Sequence, residues 1–263
     1  MSHTIKKRFG QHFLTDAAII SDILTAIAPE PGDNIIEIGP GMGAITEPLL
    51  SKVNRLSVIE IDRELIGYWQ RRYPDDRLHV IAGDVLALDF SELASPFRLV
   101  GNLPYNISTP ILMKMRDVSD CLIDAHFMLQ KEVIDRIAAS PGSKTYGRLS
   151  IMLQAHFEVL PLFDVPPGAF DPPPKVDSAV IRMWPTDRFI KEISDYAVFE
   201  NVVRLAFCQR RKTITNSLKS VLSVADFEQL GINPSARAET LSVTQFIEMA
   251  NYVTQIASQH IKT

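Results

Sequence analysis

The chain has 263 residues, 46% of them apolar and 22% charged, with a formal net charge of −4 and two cysteines. That is enough apolar material to bury a full core, as one large domain or as a large domain with a small companion, and too acidic a balance for a protein that coats nucleic acid by charge alone. The apolar positions after Lys6, Lys7 and Arg8 are broken by Asp16, Ser21 and Asp22, no run approaches the roughly 20 apolar residues of a membrane span, and Cys121 and Cys208 lack disulfide-framework or metal-site spacing, so a reducing cytoplasm and no metal are expected.

Residues 1–185 alternate short apolar runs with amphipathic stretches, the pattern of a doubly wound α/β sheet with helices on both faces. Strands are predicted at 35–38, 56–61, 78–82, 98–100 and 125–129, then at 151–159 and 178–184. Between the last two lies a proline-dense segment, from Pro161 to Pro174, which must be a loop or a sheet edge because proline cannot donate to a strand ladder. After Pro185 the apolar spacing turns helical, around 198–222, 224–230 and 243–256, which predicts a small all-helical domain over 186–263.

The first strand runs into Gly39, Gly41 and Gly43, which let the backbone turn sharply and approach a ligand where a Cβ would clash. Gly39, Gly41 and Ala44 also satisfy the dinucleotide fingerprint, with Glu60 at about the 20-residue distance at which an NAD enzyme holds its ribose, so hydride transfer is a competing reading that an NADH titration would test. Glu60, however, ends the second strand, where its carboxylate can accept both ribose hydroxyls of one nucleoside. Asp84 and Val85 follow the third strand, where a carboxylate or the neighbouring amide can read an adenine edge, although Asp84 can also cap the next helix. Two acids at adjacent strand tips beside a glycine turn outline a pocket for a mononucleoside, which suits the adenosyl half of S-adenosylmethionine better than a dinucleotide.

The fourth strand ends in Asn102, Leu103, Pro104 and Tyr105, at the same edge of the sheet. Asn-x-Pro-aromatic in this place resembles the signature of amino-group methyltransferases acting on nucleic acids. The chemistry accounts for the residue types. An adenine N6 lone pair is delocalised into the ring and attacks poorly unless the amine is held pyramidal, which acceptors at the Asn102 side-chain oxygen and the Leu103 carbonyl would do. Tyr105 can stack on the base, and Pro104 stiffens the loop. No base is needed beforehand, since the proton becomes acidic only after nitrogen is alkylated, and the six histidines show no spacing that suggests a base or a metal ligand. Further on, Arg204, Arg210, Arg211, Lys212 and Lys219 form a basic run with no acid among them.

With these motifs stand Phe9-Gly-Gln-His-Phe-Leu14, Tyr146-Gly-Arg-Leu-Ser150, Phe170 to Val180 and Phe207-Cys-Gln-Arg-Arg-Lys212. Over nearly its whole length the chain resembles the bacterial small-subunit ribosomal RNA adenine dimethyltransferases. The resemblance implies a Rossmann-like class I S-adenosylmethionine methyltransferase sheet over 1–185 and a helical RNA-binding domain over 186–263. It implies dimethylation of two adjacent adenosines near the 3′ end of 16S rRNA within an immature small subunit, by a monomer with no membrane partner. It further implies that His12 and Leu14 contact the cofactor and that Phe170 sandwiches a flipped adenine against Tyr105. Lys6, Lys7 and Arg8, with the Arg204 to Lys219 patch, would hold the RNA backbone. Two rivals keep the fold and change the role. One is the resistance-type large-subunit methyltransferase, which typically has isoleucine and asparagine where this chain has Leu103 and Asp177. The other is a non-catalytic ribosome assembly factor.

Overall fold

The computed structural model describes residues 12–209 and 211–260; Lys6, Lys7, Arg8 and Arg210 lie outside the described residues. The elements in chain order are β1 (Phe13–Leu14), α1 (Ala17–Ile27), β2 (Ile35–Ile38), α2 (Thr46–Leu50), β3 (Leu56–Glu60), α3 (Arg63–Arg72), β4 (Leu78–Ala82), β5 (Phe97–Asn102), α4 (Ser108–Lys114), β6 (Leu122–Gln130), α5 (Lys131–Ile137) and α6 (Arg148–Gln154). They continue with β7 (Phe157–Val165), β8 (Phe170–Asp171), β9 (Ser178–Pro185), α7 (Asp187–Ile190), α8 (Tyr196–Phe207), α9 (Ile214–Leu218), α10 (Val224–Gln229) and α11 (Val243–His260). None of the described helices is long and apolar enough to cross a membrane.

These elements form two compact units. One holds the described residues up to Ile134 together with Val159–Pro185; the other holds Asp135–Glu158 and the described residues from Thr186 onward. A single break at 185/186 misses the segment 135–158, which groups with the C-terminal helices.

The first unit is built on a seven-stranded sheet of order β4-β3-β2-β5-β6-β9-β7. β4, β3, β2, β5 and β6 run parallel to their neighbours, and β6 pairs with β9 antiparallel. The central strands are apolar runs because both faces are covered: all four residues of β2 are buried. Successive strands step from β2 through β3 to β4 on one side, and the chain then returns to lay β5 on the other side of β2. The carboxyl ends of β2 and β5 therefore diverge at a topological switch point, where an open α/β sheet leaves a crevice. A separate two-stranded piece pairs β1 with β8 antiparallel, with Phe13 opposite Asp171 and Leu14 opposite Phe170.

One group of buried charges ties this unit together away from the crevice. Arg98 on β5 donates from Nε and Nη2 to the two Asp124 oxygens of β6 at 2.7 and 3.0 Å, from Nη1 to Asp33 at 2.8 Å and from Nη2 to the Ile27 carbonyl at 2.6 Å. Arg182 on β9 adds a bond to Asp124 at 3.1 Å.

Two sequence expectations are corrected. The segment 151–154, expected to open a strand, completes helix α6, and the strand begins only at Phe157. Short apolar runs fit either state, and here the helix is settled at its start, where the Ser150 hydroxyl accepts the Gly147 N–H. β7 then runs through Pro161, which is possible because it is the last strand in the sheet order. The helical stretch expected over 198–222 is broken, with α8 ending at Phe207 and α9 starting afresh on Thr213, whose side chain accepts the Asn216 N–H.

Candidate active site

A cavity of about 900 Å³ opens at the switch point. The ends of four parallel strands supply its wall: Gly39 and Gly41 after β2, Glu60 closing β3, Asp84 and Val85 after β4, and Asn102 through Tyr105 at and beyond the end of β5. His12 and Leu14 line it from the N-terminal side. Of the residues expected at the reaction centre and the cofactor, all but Phe170 are on this wall.

The glycine turn is held from beneath by Trp69 of α3, which is fully buried and donates from its indole nitrogen to the Gly41 carbonyl at 3.1 Å. Gly43 sits at φ +97°, and a Cβ there would lie 2.6 Å from the Trp69 ring. The turn thus needs glycine for its backbone and for its packing. Trp69 was not read from the sequence as part of the site; an aromatic on an amphipathic helix, here between Tyr68 and Tyr73, gives no local sign of which loop it supports.

Glu60 is 6% exposed, and its Oε1 accepts the N–H groups of Ile61 and Asp62, both at 2.8 Å. Burial raises its pKa above the ordinary carboxylate value, opposed by those backbone bonds. Oε1 is thus fixed by the chain itself, and Oε2 stays out of both bonds. Asp84 uses Oδ1 to accept the Leu86 N–H at 2.9 Å, so it serves the following turn while lining the cavity.

A third acid on the wall was missed. Glu37 on β2 is 2% exposed and its Oε2 finds no hydrogen-bond partner. Burial, reinforced by the charge of Glu60 and opposed by the Thr46 hydroxyl, raises its pKa to about 8. In the sequence it is one acid inside an apolar strand, and that mismatch was the available signal. Its linkage to stability has a definite sign. The unfolded chain loses this proton near the ordinary carboxylate value of 4.5, whereas the fold keeps it to about 8. Stability is therefore lost as pH rises through that window, by about 1.4 kcal/mol per pH unit. Glu37→Gln is expected to melt higher than the parent at pH 8, with a gap that shrinks toward pH 5. A gap independent of pH would show that the buried carboxyl is not protonated.

The tetrapeptide is pinned on three sides. Asn102 lies opposite Met128 in the β5–β6 register, and the Leu103 N–H donates to the Met128 carbonyl at 3.1 Å. The Asn102 side chain donates from Nδ2 to the His12 carbonyl at 3.1 Å. The Tyr105 hydroxyl lies 2.6 Å from that of Ser178, and burial raises the phenol's pKa. His12 stacks its ring on Tyr105, 5.7 Å between centroids and 23° between planes, and its Nδ1 bonds the Pro172 carbonyl at 2.8 Å. The His12 side chain is thus engaged with Tyr105 and the loop after β8.

Phe170 departs from expectation. It is 4% exposed and belongs to the core cluster with Leu14, Met128 and Val180, because pairing of β8 with β1 turns it inward, and its neighbour Asp171 lines the cavity instead. In the helical unit Arg204, Arg211, Lys212 and Lys219 are all exposed, with Arg204 bonded to Asn201 at 2.7 Å.

Comparison with known proteins places this arrangement. The model of the family described as ribosomal RNA adenine dimethylase matches residues 2–255. The ribosomal RNA small subunit methyltransferase A of Xanthomonas campestris pv. campestris (strain B100) is 56% identical over 94% of this chain and 95% of its own length. That of Neisseria meningitidis serogroup A is 51% identical over 95% of this chain and 97% of its own. Among solved structures, a dimethyladenosine transferase from Plasmodium falciparum superposes with a TM-score of 0.79 at 25% identity, covering 93% of this chain and 98% of that one. The 23S rRNA methyltransferase ErmE does so at 0.71 and 24% identity, over 92% and 100%, and speaks for the fold alone. A family match over almost every residue, joined by relatives more than half identical from end to end, means that this chain belongs to the ribosomal RNA adenine dimethylase family.

Proposed function

We propose that this chain transfers methyl groups from S-adenosylmethionine to N6 of two adjacent adenosines near the 3′ end of 16S rRNA, giving N6,N6-dimethyladenosine in an immature small subunit, as a cytoplasmic monomer. The observation that carries the reading is the Asn102 carboxamide. Its Nδ2 is committed to the His12 carbonyl, so its Oδ1 is left to accept a hydrogen bond from an adenine amine in the cavity.

The cavity fits the adenosyl cofactor by size and by donor set, with the fixed carboxylate of Glu60 for the ribose hydroxyls, Asp84 and the Val85 amide for the adenine edge, and the glycine turn at Gly39 and Gly41 for close approach. When bound, the cofactor supplies a methyl carbon on a sulfonium sulfur, which departs as the neutral thioether. The chain's own residues make the amine reactive. Asn102 Oδ1 and the Leu103 carbonyl accept hydrogen bonds from the N6–H groups, two in the first transfer and one in the second, hold the nitrogen pyramidal and stabilise the positive charge it acquires as the new N–C bond forms. The proton then leaves an alkylated and acidic nitrogen, so no side chain has to remove it first. Tyr105 offers the face on which the base stacks. A second face from Phe170 requires its ring to leave the core. Arg204, Arg210, Arg211, Lys212 and Lys219 of the helical domain, with Lys6, Lys7 and Arg8, hold phosphates, and RNA shape selects the target.

The deciding experiment gives the protein labelled S-adenosylmethionine and unmethylated small ribosomal subunits, followed by mass spectrometry of the nucleosides. N6,N6-dimethyladenosine in small-subunit rRNA is the expected product. Label confined to large-subunit rRNA supports the resistance-type reading, and rRNA binding without transfer supports an assembly factor.

A further inference from the structure

We propose that Ser178 is a positioning residue for methyl transfer, holding the Tyr105 ring in the place where the target adenine stacks on it and acting only through the Tyr105 hydroxyl. The proposal rests on the reading of Tyr105 as the base platform.

Ser178 is fully buried and is not on the cavity wall, so it has no path to the substrate of its own. Its hydroxyl lies 2.6 Å from that of Tyr105, and the phenol is itself half-buried. The strand ladder determines where that hydroxyl stands. Ser178 opens β9 opposite Gln130 of β6, Val180 lies opposite Met128, and Met128 lies opposite Asn102 of β5. The adjoining backbone is fastened where the Lys131 N–H donates to the Asp177 carbonyl at 3.0 Å. The same ladder therefore carries both the tetrapeptide and the group that holds its aromatic ring.

The rest of the Tyr105 environment leaves this role open. His12 covers a ring face, and the Tyr105 carbonyl accepts the Ser108 hydroxyl at 3.2 Å, which fixes the backbone and not the ring torsion. A phenol tethered at its far end cannot swing about χ1; the hydroxyl lies on the χ2 axis, so the tether fixes where the ring stands and the stacked His12 ring bears on its plane before the base arrives. Preorganisation of this kind acts on the rate from the bound complex more than on capture of the RNA.

The test measures kcat and KM on unmethylated small subunits for the parent, Ser178→Ala, Ser178→Thr, Tyr105→Phe, the Ser178→Ala/Tyr105→Phe pair and Tyr105→Ala, with S-adenosylhomocysteine affinity by calorimetry as the check on the fold. Ser178→Ala and Tyr105→Phe should each lower kcat by about tenfold with little change in KM. The double variant should be no slower than either single variant, and Ser178→Thr should recover most of the rate. Multiplying effects in the double variant overturn the proposal. So does a Ser178→Thr protein that binds S-adenosylhomocysteine normally yet stays as slow as Ser178→Ala, or a Ser178→Ala protein that has lost that binding. An unaffected Ser178→Ala beside an impaired Tyr105→Ala removes this proposal and spares the platform. Full transfer by Tyr105→Ala removes the platform itself.

Discussion

Asn102→Ala is expected to lower the rate of methyl transfer by about 10²- to 10³-fold while S-adenosylhomocysteine and rRNA still bind. The size follows from what the side chain does. Its amide nitrogen is spent on the His12 carbonyl, and in the proposed reaction its oxygen faces a nitrogen that becomes cationic only as transfer proceeds. An interaction that grows with developing charge acts on the transition state and barely on the bound ground state, so kcat falls and the dissociation constants hold. Alanine also removes the tie to His12, which makes Asn102→Asp an informative companion: it keeps an acceptor and loses the donor that aims it. Single-turnover assays with calorimetric cofactor titration separate the two effects. Undiminished transfer by Asn102→Ala would refute the role given to this residue.

Asp124→Ala is expected to cost the fold about 3–5 kcal/mol, measured by urea unfolding of the parent and the variant. Asp124 is 1% exposed and receives bonds from both Arg98 and Arg182. Its removal leaves the Arg98 guanidinium, itself 8% exposed, with only Asp33 as a charged partner and the Ile27 carbonyl beside it. A buried charge stripped of its counter-charge keeps its desolvation penalty and loses the compensation. The contrast with Asp124→Leu/Arg98→Met sharpens the point, because removing both charges together is expected to recover most of the loss. A double variant as unstable as Asp124→Ala would show that shape, and not charge, decides this site.

Much of the site was legible because chemistry and topology agree at the ends of the strands. Gly39, Gly41, Glu60, Asp84 and the Asn102 tetrapeptide each follow a short apolar run, and residues at the carboxyl ends of neighbouring parallel strands share one crevice. What was not legible depends on pairing between distant segments. Nothing local to Phe170 reveals that β8 will pair with β1 and turn the ring into the core beside Leu14. Nor does the run before β7 disclose that 151–154 is helical, since an apolar stretch of that length satisfies both periodicities. Arg98 reads as one charged position in a predicted strand; its partners Asp33 and Asp124, and the Arg182 that shares Asp124, are spread over widely separated stretches of sequence and meet only in the folded sheet.

The bonds made by His12 also bear on the time at which the protein becomes competent during synthesis. Its carbonyl waits for an amide 90 residues downstream, and its ring waits for a carbonyl 160 residues downstream. Ribosomes make chains from the amino end at roughly 5–20 residues per second, so this segment emerges many seconds before either partner exists. The earliest described part of the chain is thus among the last to reach its native place. A nascent chain, or a fragment ending before the loop after β8, can own every residue of the tetrapeptide and still lack the Pro172 carbonyl that fixes the His12 ring.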